Sequence, residues 1–271
     1  MNQPKYKLRS WIDINKIDWN GLSLNPKAID LLKANPEKIN WTYLSKNKNA
    51  INLLEQNEDK INWLFLSENK NAICILKRHF DRINWSYLSL NKNAINLLTN
   101  YSSKIDWYLI ANNSKAIKLI ETNLSKISWN YLCDNKNALQ ILKKHPDKIN
   151  WDILSMNKNA MSLLKTNFKK IDWDCLSRNE NAIDILEKNQ DRINWQYICR
   201  NKKAINIIEK NQDKINWFEL SSNPAIFELD YQAMKVQNQE FENELLKVVL
   251  HPERIQYYRQ KYNYKIEEMF Y

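Results

Sequence analysis

Ten of the eleven tryptophans in the chain, from Trp19 to Trp217, are each separated from the next by 22 residues. A fixed period of this length marks a repeat architecture, in which each repeat buries its apolar face only by stacking on its neighbours. With Trp as position 4, the repeats read [KR]-I-[NDS]-W-x-x-[LI]-[SCA]-x-N-x-x-A-[ILM]-x-[LI]-[LI], followed by a polar tail that often ends in Asp or Glu. They begin at Lys16, Lys38, Lys60, Arg82, Lys104, Lys126, Lys148, Lys170, Arg192 and Lys214. The register holds until the last repeat, where Pro224-Ala225 arrives one residue early.

Two short helices explain the pattern. Position 3 is always Asn, Asp or Ser, residues whose side chains accept the free N–H groups at a helix start. Positions 4, 7 and 8 then share one face at about 100° per residue, which predicts a helix A of roughly six residues beginning at Trp. Position 10 is Asn in all ten repeats, with Pro26 and Pro224 directly after it, and this predicts a helix B starting there. Its apolar positions 13, 14, 16 and 17 form a stripe about 160° wide. Asn at position 20, with Pro36 and Pro146 after that position, marks its end.

The expected fold is therefore all-α, an α-solenoid of about ten 22-residue two-helix repeats, shaped as an elongated rod or arc without sheet. A leucine-rich-repeat horseshoe is the competing architecture, but W-x-x-L-S is an i, i+3, i+4 pattern and lacks strand alternation. Trp, Leu and Ile positions are expected to form one continuous core. Residues 1–15, with Trp11, read as an N-terminal cap and 16–226 as the solenoid. Residues 227–271 read as a helical C-terminal cap, with Phe241, Leu245, Leu246, Val248 and Val249 covering the last repeat.

Several function classes are disfavoured. The chain has a single glycine, Gly21, whereas dinucleotide-binding turns, P-loops and nucleophile elbows each use several. No apolar run approaches the roughly 18 residues of a membrane span, and the polar start lacks the apolar block of a secretory signal. The expected location is cytoplasmic: host cytoplasm or a virus factory for a viral chain, with packaging into virions left open. Cys133 and Cys199 occupy position 8, Cys175 position 6 and Cys74 position 15, while His79 and His145 replace Asn at position 20. These are substitutions within repeat slots, and no C-x-x-C or H-x-x-x-H pair exists. The reading is a non-enzyme with no metal and no cofactor.

Two rows of side chains are candidates for binding. The first is the cation at position 1, a ladder that includes Lys38, Lys60, Arg82, Lys104, Lys126, Lys148, Lys170 and Arg192. Such a ladder attracts phosphate, yet position 22 just before it is acidic at Glu37, Asp59, Asp81, Asp147, Asp191 and Asp213. The alternative is a solvated ladder of alternating charge whose lysine stems lie on the Trp rings. Lys48, Lys70, Lys92, Lys136, Lys158 and Lys202 at position 11 add a second basic edge. The other candidate row faces away from Trp and Leu on helix A. It carries Tyr43, Phe65, Tyr87, Tyr131 and Tyr197 at position 6, flanked by variable positions 5 and 9 that include Tyr108, Arg178 and Arg200. A row that varies among uniform repeats is where a solenoid encodes a partner. A protein partner on positions 5, 6 and 9 is therefore the first expectation. Nucleic acid on the basic ladder is the alternative, and no membrane is expected.

Lys-Leu-Arg-Ser-Trp-Ile-Asp-Ile-Asn at 7–15, the K-I-D-W-x-x-L-S-x-N-P-x-A-I-x-L-L unit most complete at Lys16–Leu32, and Glu244 to Ile255 resemble a known family. They are similar to the 22-residue repeat proteins of giant nucleocytoplasmic DNA viruses of the mimivirus and phycodnavirus kind. The resemblance covers nearly the whole chain and implies a viral origin and a repeat scaffold, with no catalytic residues to carry over. Richness in Asn, Lys and Ile fits an AT-rich genome. The departures are Lys or Ser in place of Pro at position 11 in most repeats, and Tyr101 in place of Asn.

Overall fold

A computed structural model describes residues 4–262, and the chain divides into two compact bodies, Leu8–Phe227 and Met1–Lys7 with Glu228–Tyr271. The larger body is the all-α repeat array. In repeat 2, helix A spans Trp41–Lys46, helix B spans Ile51–Glu55, and a 3-10 turn at Glu58–Lys60 leads into the next repeat. The cap expected at position 3 is present: Tyr43 N–H donates to Asn40 Oδ1 at 3.2 Å, and Cys175 N–H to Asp172 Oδ1 at 2.8 Å. Helix B starts later than the sequence predicts, after Ala50 at position 13. The reason is that the Asn of position 10 is engaged elsewhere.

Asn91 is typical of that position. Its Nδ2 donates to Ser67 O at 3.0 Å and to Asn69 O at 2.8 Å, both in the preceding repeat, while its Oδ1 accepts the N–H of Asn93. Both N–H groups and the oxygen of the amide head thus act as a connector, and the side chain is fully buried. Position 8 supplies a second connector. Ser45 Oγ donates to Trp41 O at 2.8 Å and accepts Asn62 N–H of the next repeat at 3.0 Å. Cys133 Sγ accepts Asn150 N–H in the same way at 3.3 Å, which explains why cysteine substitutes for serine here. Ala111 in repeat 5 has no atom to offer the N–H of Ser128. The innermost apolar side chains are the Leu or Ile of positions 7 and 17, such as Leu44, Leu54, Leu88 and Leu98, all fully buried. The tryptophans are only half-buried, so they border the core and do not fill it. The sequence places them too deep because it cannot show that their outer ring faces are covered by neighbouring cations.

The array is not a rod. Helix A of repeat 1, Trp19–Leu24, packs on helix A of repeat 10, Trp217–Ser221, as closely as any consecutive pair. Every connector is repeated at that junction. Asn25 Nδ2 donates to Ser221 O and Asn223 O, each at 2.9 Å, and Asp18 N–H donates to Ser221 Oγ at 2.9 Å. Lys16 lies over Trp217 as Lys38 lies over Trp19. Ten repeats turning about 36° each close a circle, so the larger body is a ring and the expectation of an elongated rod or arc is corrected. The only glycine sits at this seam. A Cβ on Gly21 would lie 2.4 Å from Phe218 O and 3.0 Å from Ser221 Cβ, so the approach of backbone to backbone demands a residue without a side chain.

Closure also removes the need for a cap. The open face of repeat 10 is taken by repeat 1, and the side chains expected to cover it are exposed: Phe241 55%, Leu245 50%, Leu246 52%, Val248 56% and Val249 47%. They lie on a helix spanning Tyr231–Val249, in the smaller body, which is followed by a helix at Pro252–Tyr262. A short two-stranded sheet, β1 (Tyr6–Leu8) with β2 (Phe227–Leu229), was not expected either.

Two outcomes follow from these contacts. Asn91→Ala removes the amide donor from Ser67 O and one of two donors from Asn69 O, which keeps Ala72 N–H, and should cost about 1–3 kcal/mol in denaturant unfolding, with Asn91→Asp worse, whereas Ala111→Ser supplies the missing acceptor and should gain about 1 kcal/mol. Gly21→Tyr, the residue type of other repeats at that position, should open the seam. Sedimentation velocity should then report a larger frictional ratio, and stability should fall by about 1–3 kcal/mol; an unchanged ring would mean the seam is not limited by Gly21.

Candidate functional site

Around the ring, neighbouring helices A pack directly on one another, while each helix B packs chiefly on its own repeat. Elements that lie closer together occupy the smaller radius, so helix A lines the inner face. Its positions 7 and 8 are buried against the core, which turns the opposite side, positions 5, 6 and 9, inward. Position 11, in the turn after helix A, joins position 9 at one mouth of the ring. Leu24, Lys46, Glu68 and Leu90 of position 9 line a cavity of about 340 Å³ together with Pro26, Lys48, Lys70 and Lys92 of position 11. Farther round, Asp134, Met156 and Arg178 share a cavity of about 290 Å³ with Lys136, Lys158 and Glu180.

The aromatic row expected at position 6 is half-buried and packs sideways. Phe65 meets Tyr87 with ring centres 5.9 Å apart, and Tyr131 meets Tyr108 of position 5 at 5.0 Å. Because Gly21 leaves a gap in the row, Tyr43 of repeat 2 reaches Phe218 of repeat 10 at 6.4 Å. Tyr197 lies beneath the guanidinium of Arg178 at 6.0 Å. Arg200 donates through Nε to the buried Glu219. Burial first, and then Arg178, lowers the pKa of Arg200, against the opposing pull of Tyr197 and Tyr43. Of the residues singled out, Tyr108, Arg178 and Arg200 are the exposed ones.

The position 1 cations end up elsewhere. Lys38, Lys60, Lys126 and Lys170 lie over the Trp of the preceding repeat at 4.5, 4.7, 5.0 and 4.5 Å, and Arg82 and Arg192 at 5.3 and 4.8 Å. Trp85, the ring before Lys104, is flanked instead by Phe80 and Tyr101, and Trp129, before Lys148, by His145. Lys148 pairs with Asp147 at 3.3 Å. This row therefore seals the edge of the core as much as it presents charge to solvent. The sequence named the lysines of position 11 but put them on helix B. It missed Lys27, Lys115 and Lys203 of position 12, since a three-in-ten occupancy carries no periodic signal.

Burial raises the thiol pKa of Cys133 and of Cys199, and burial with a hydrogen bond to Asp172 takes Cys175 to about 11, all away from the reactive thiolate. Among the described residues no group of His, Cys, Asp or Glu is arranged to hold a metal ion, and no helix is long and apolar enough to cross a membrane. No family model, no curated protein and no solved structure matches this chain.

Cation–π contacts at exposed sites contribute about 0.5–1 kcal/mol each. Lys60→Ala should therefore cost under about 1 kcal/mol in denaturant melts, against 2–5 kcal/mol for Leu88→Ala in the core. A larger loss at Lys60 than at Leu88 would reverse the assignment of core and edge.

Proposed function

We propose that the ring is a non-enzymatic scaffold that binds a protein partner, host or viral, along its inner face through positions 5, 6 and 9. One observation carries this reading. Positions 2, 7, 10 and 13 hardly change around the ring, whereas position 5 runs through Asn20, Thr42, Leu64, Ser86 and Tyr108 to Asp152 and Phe218. Variation along an accessible row, on a framework held by buried connectors, is how a rigid repeat surface distinguishes one partner from another. The resemblance to giant-virus repeat proteins supports a scaffold role of this kind.

The nucleic-acid alternative rests on the position 1 cations, and most of these already lie on tryptophan rings. A strand engaging six phosphates would give a slope of log affinity against log salt near −4, at about 0.7 per phosphate. The expected slope for single-stranded DNA is about −2 or shallower. For the protein reading, a partner captured from infected cells with and without nuclease is purified and titrated calorimetrically. Tyr108→Ser with Arg178→Ser, both at exposed sites, should weaken binding about tenfold. Combined change of Lys60, Arg82, Lys104 and Lys126 to Gln should leave it unaltered. The opposite pattern would transfer the function to the basic ladder.

A further inference from the structure

Two surfaces of the molecule are complementary in chemistry. The first is the lysine-rich mouth. Positions 11 and 12 together carry nine lysines and one acid, Glu180. Lys158 and Lys202 both pair with Glu180, at 3.5 and 3.3 Å. Lys48, Lys70 and Lys92 gather instead at the 340 Å³ cavity, whose other walls include the aliphatic Leu24, Pro26 and Leu90. Lys46 is there too, paired with Glu68 at 3.0 Å. The crowding has an electrostatic cost. Burial and then the charges of Lys136, Lys70 and Lys158 lower the pKa of Lys92, with Asp134 opposing, so an arriving anion would relieve repulsion already present.

The second feature is the exposed helix Tyr231–Val249. At about 100° per residue, Phe241, Leu245 and Val248 form one stripe, with Glu240 and Glu244 along one side and Glu242 along the other. All three apolar side chains are at least half exposed, and a contiguous exposed row of this kind marks a protein-binding surface. An apolar stripe bordered by carboxylates is the complement of an aliphatic cavity bordered by lysines. A helix laid into such a groove is held by its apolar anchors and oriented by its charges.

We propose that the lysine-rich mouth of one ring receives the Tyr231–Val249 helix of a second copy of this chain, with Phe241 in the cavity between Leu24 and Leu90 and the glutamates facing Lys48, Lys70 and Lys92. The contact is heterologous, since the two surfaces differ, so it joins copies head to tail and has no built-in limit of two. A strand of nucleic acid fits the same mouth less well. The cavity lining offers aliphatic side chains at Leu24, Pro26 and Leu90 and no ring for base stacking. Self-association shares Leu24 and Leu90 of position 9 with the partner reading, but its charge reversals fall at position 11 and outside the repeats, so the two readings can fail separately.

The test is sedimentation velocity of the full chain over a concentration series. Mean mass should rise with concentration and fall back when salt is raised. A Lys48→Glu, Lys70→Glu, Lys92→Glu variant and a Glu240→Lys, Glu242→Lys, Glu244→Lys variant should each remain monomeric. Mixed together, they should associate again, because the reversed mouth now meets a reversed helix. Phe241→Ser should also abolish association, with unchanged circular dichroism. A labelled peptide of residues 231–250 should bind the intact wild-type protein and bind the lysine-reversed variant at least about tenfold more weakly. This arm keeps the outcome readable if a helix variant misfolds. A wild-type chain monomeric at every concentration, association that survives both reversals, or oligothymidylate binding the mouth more tightly than the peptide would each overturn the proposal.

Discussion

The buried asparagine of position 10 is the interaction on which the molecule depends. Helices of four to six residues, as helix A is, do not persist alone in water, because nucleation outweighs the few hydrogen bonds gained. What keeps them is the preceding repeat. The amide of Asn47, for example, donates to Ser23 O and Asn25 O and accepts the N–H of Asn49, so it fixes both the turn inside its own repeat and the spacing to its neighbour. Aspartate would lose the donors and leucine would lose everything. The serine or cysteine of position 8 adds a second tie from Trp carbonyl to the next repeat's backbone, as Ser155 does between Trp151 O and Asp172 N–H. Both connectors act only from a fixed slot, Asn at position 10 in every repeat and Ser or Cys at position 8 in all but the Ala111 repeat, and that requirement enforces a period of 22 without insertions.

Ring closure follows from repeating one junction ten times, and the chain departs from its own consensus where the circle meets. Gly21 admits the backbone of Phe218, and Tyr43 crosses the gap that Gly21 leaves. Glu219, buried at a position where other repeats carry an aromatic or aliphatic side chain or Cys175, takes the guanidinium of Arg200. A buried carboxylate is costly unless it is paired in this way. Near the same seam, Arg9 Nε donates to Ala225 O at 2.8 Å and Arg9 N–H to Ile226 O at 2.9 Å. An open solenoid needs polar caps at both ends; a closed one has no ends.

The two basic rows, one occupied in all ten repeats and the other in six, have different chemical surroundings. At position 1 the cation shares its site with an indole face, as Lys214 does with Trp195 at 4.6 Å, so its charge contributes to stability through the ring quadrupole. At position 11 the cations converge across several repeats on shared cavities, and their mutual repulsion falls on Lys92. Periodicity alone does not separate these cases, since both appear as cations recurring on the 22-residue period.

The sequence by itself determined the repeat, its length, the cap at position 3, the helical character of W-x-x-L-S and the grouping of positions 5, 6 and 9 on one face of helix A. Each of these is a local matter of hydrogen-bonding capacity and of 100° per residue, and each is written within a few neighbouring side chains. The tertiary structure alone decided four things: that Asn at position 10 links repeats and does not start helix B, that Trp borders the core, that the position 11 lysines meet at a mouth, and that repeat 1 adjoins repeat 10. These depend on the small rotation between successive repeats, which accumulates over ten junctions. No single repeat encodes that sum, and a rotation slightly larger or smaller would have left the same sequence pattern on an open helix.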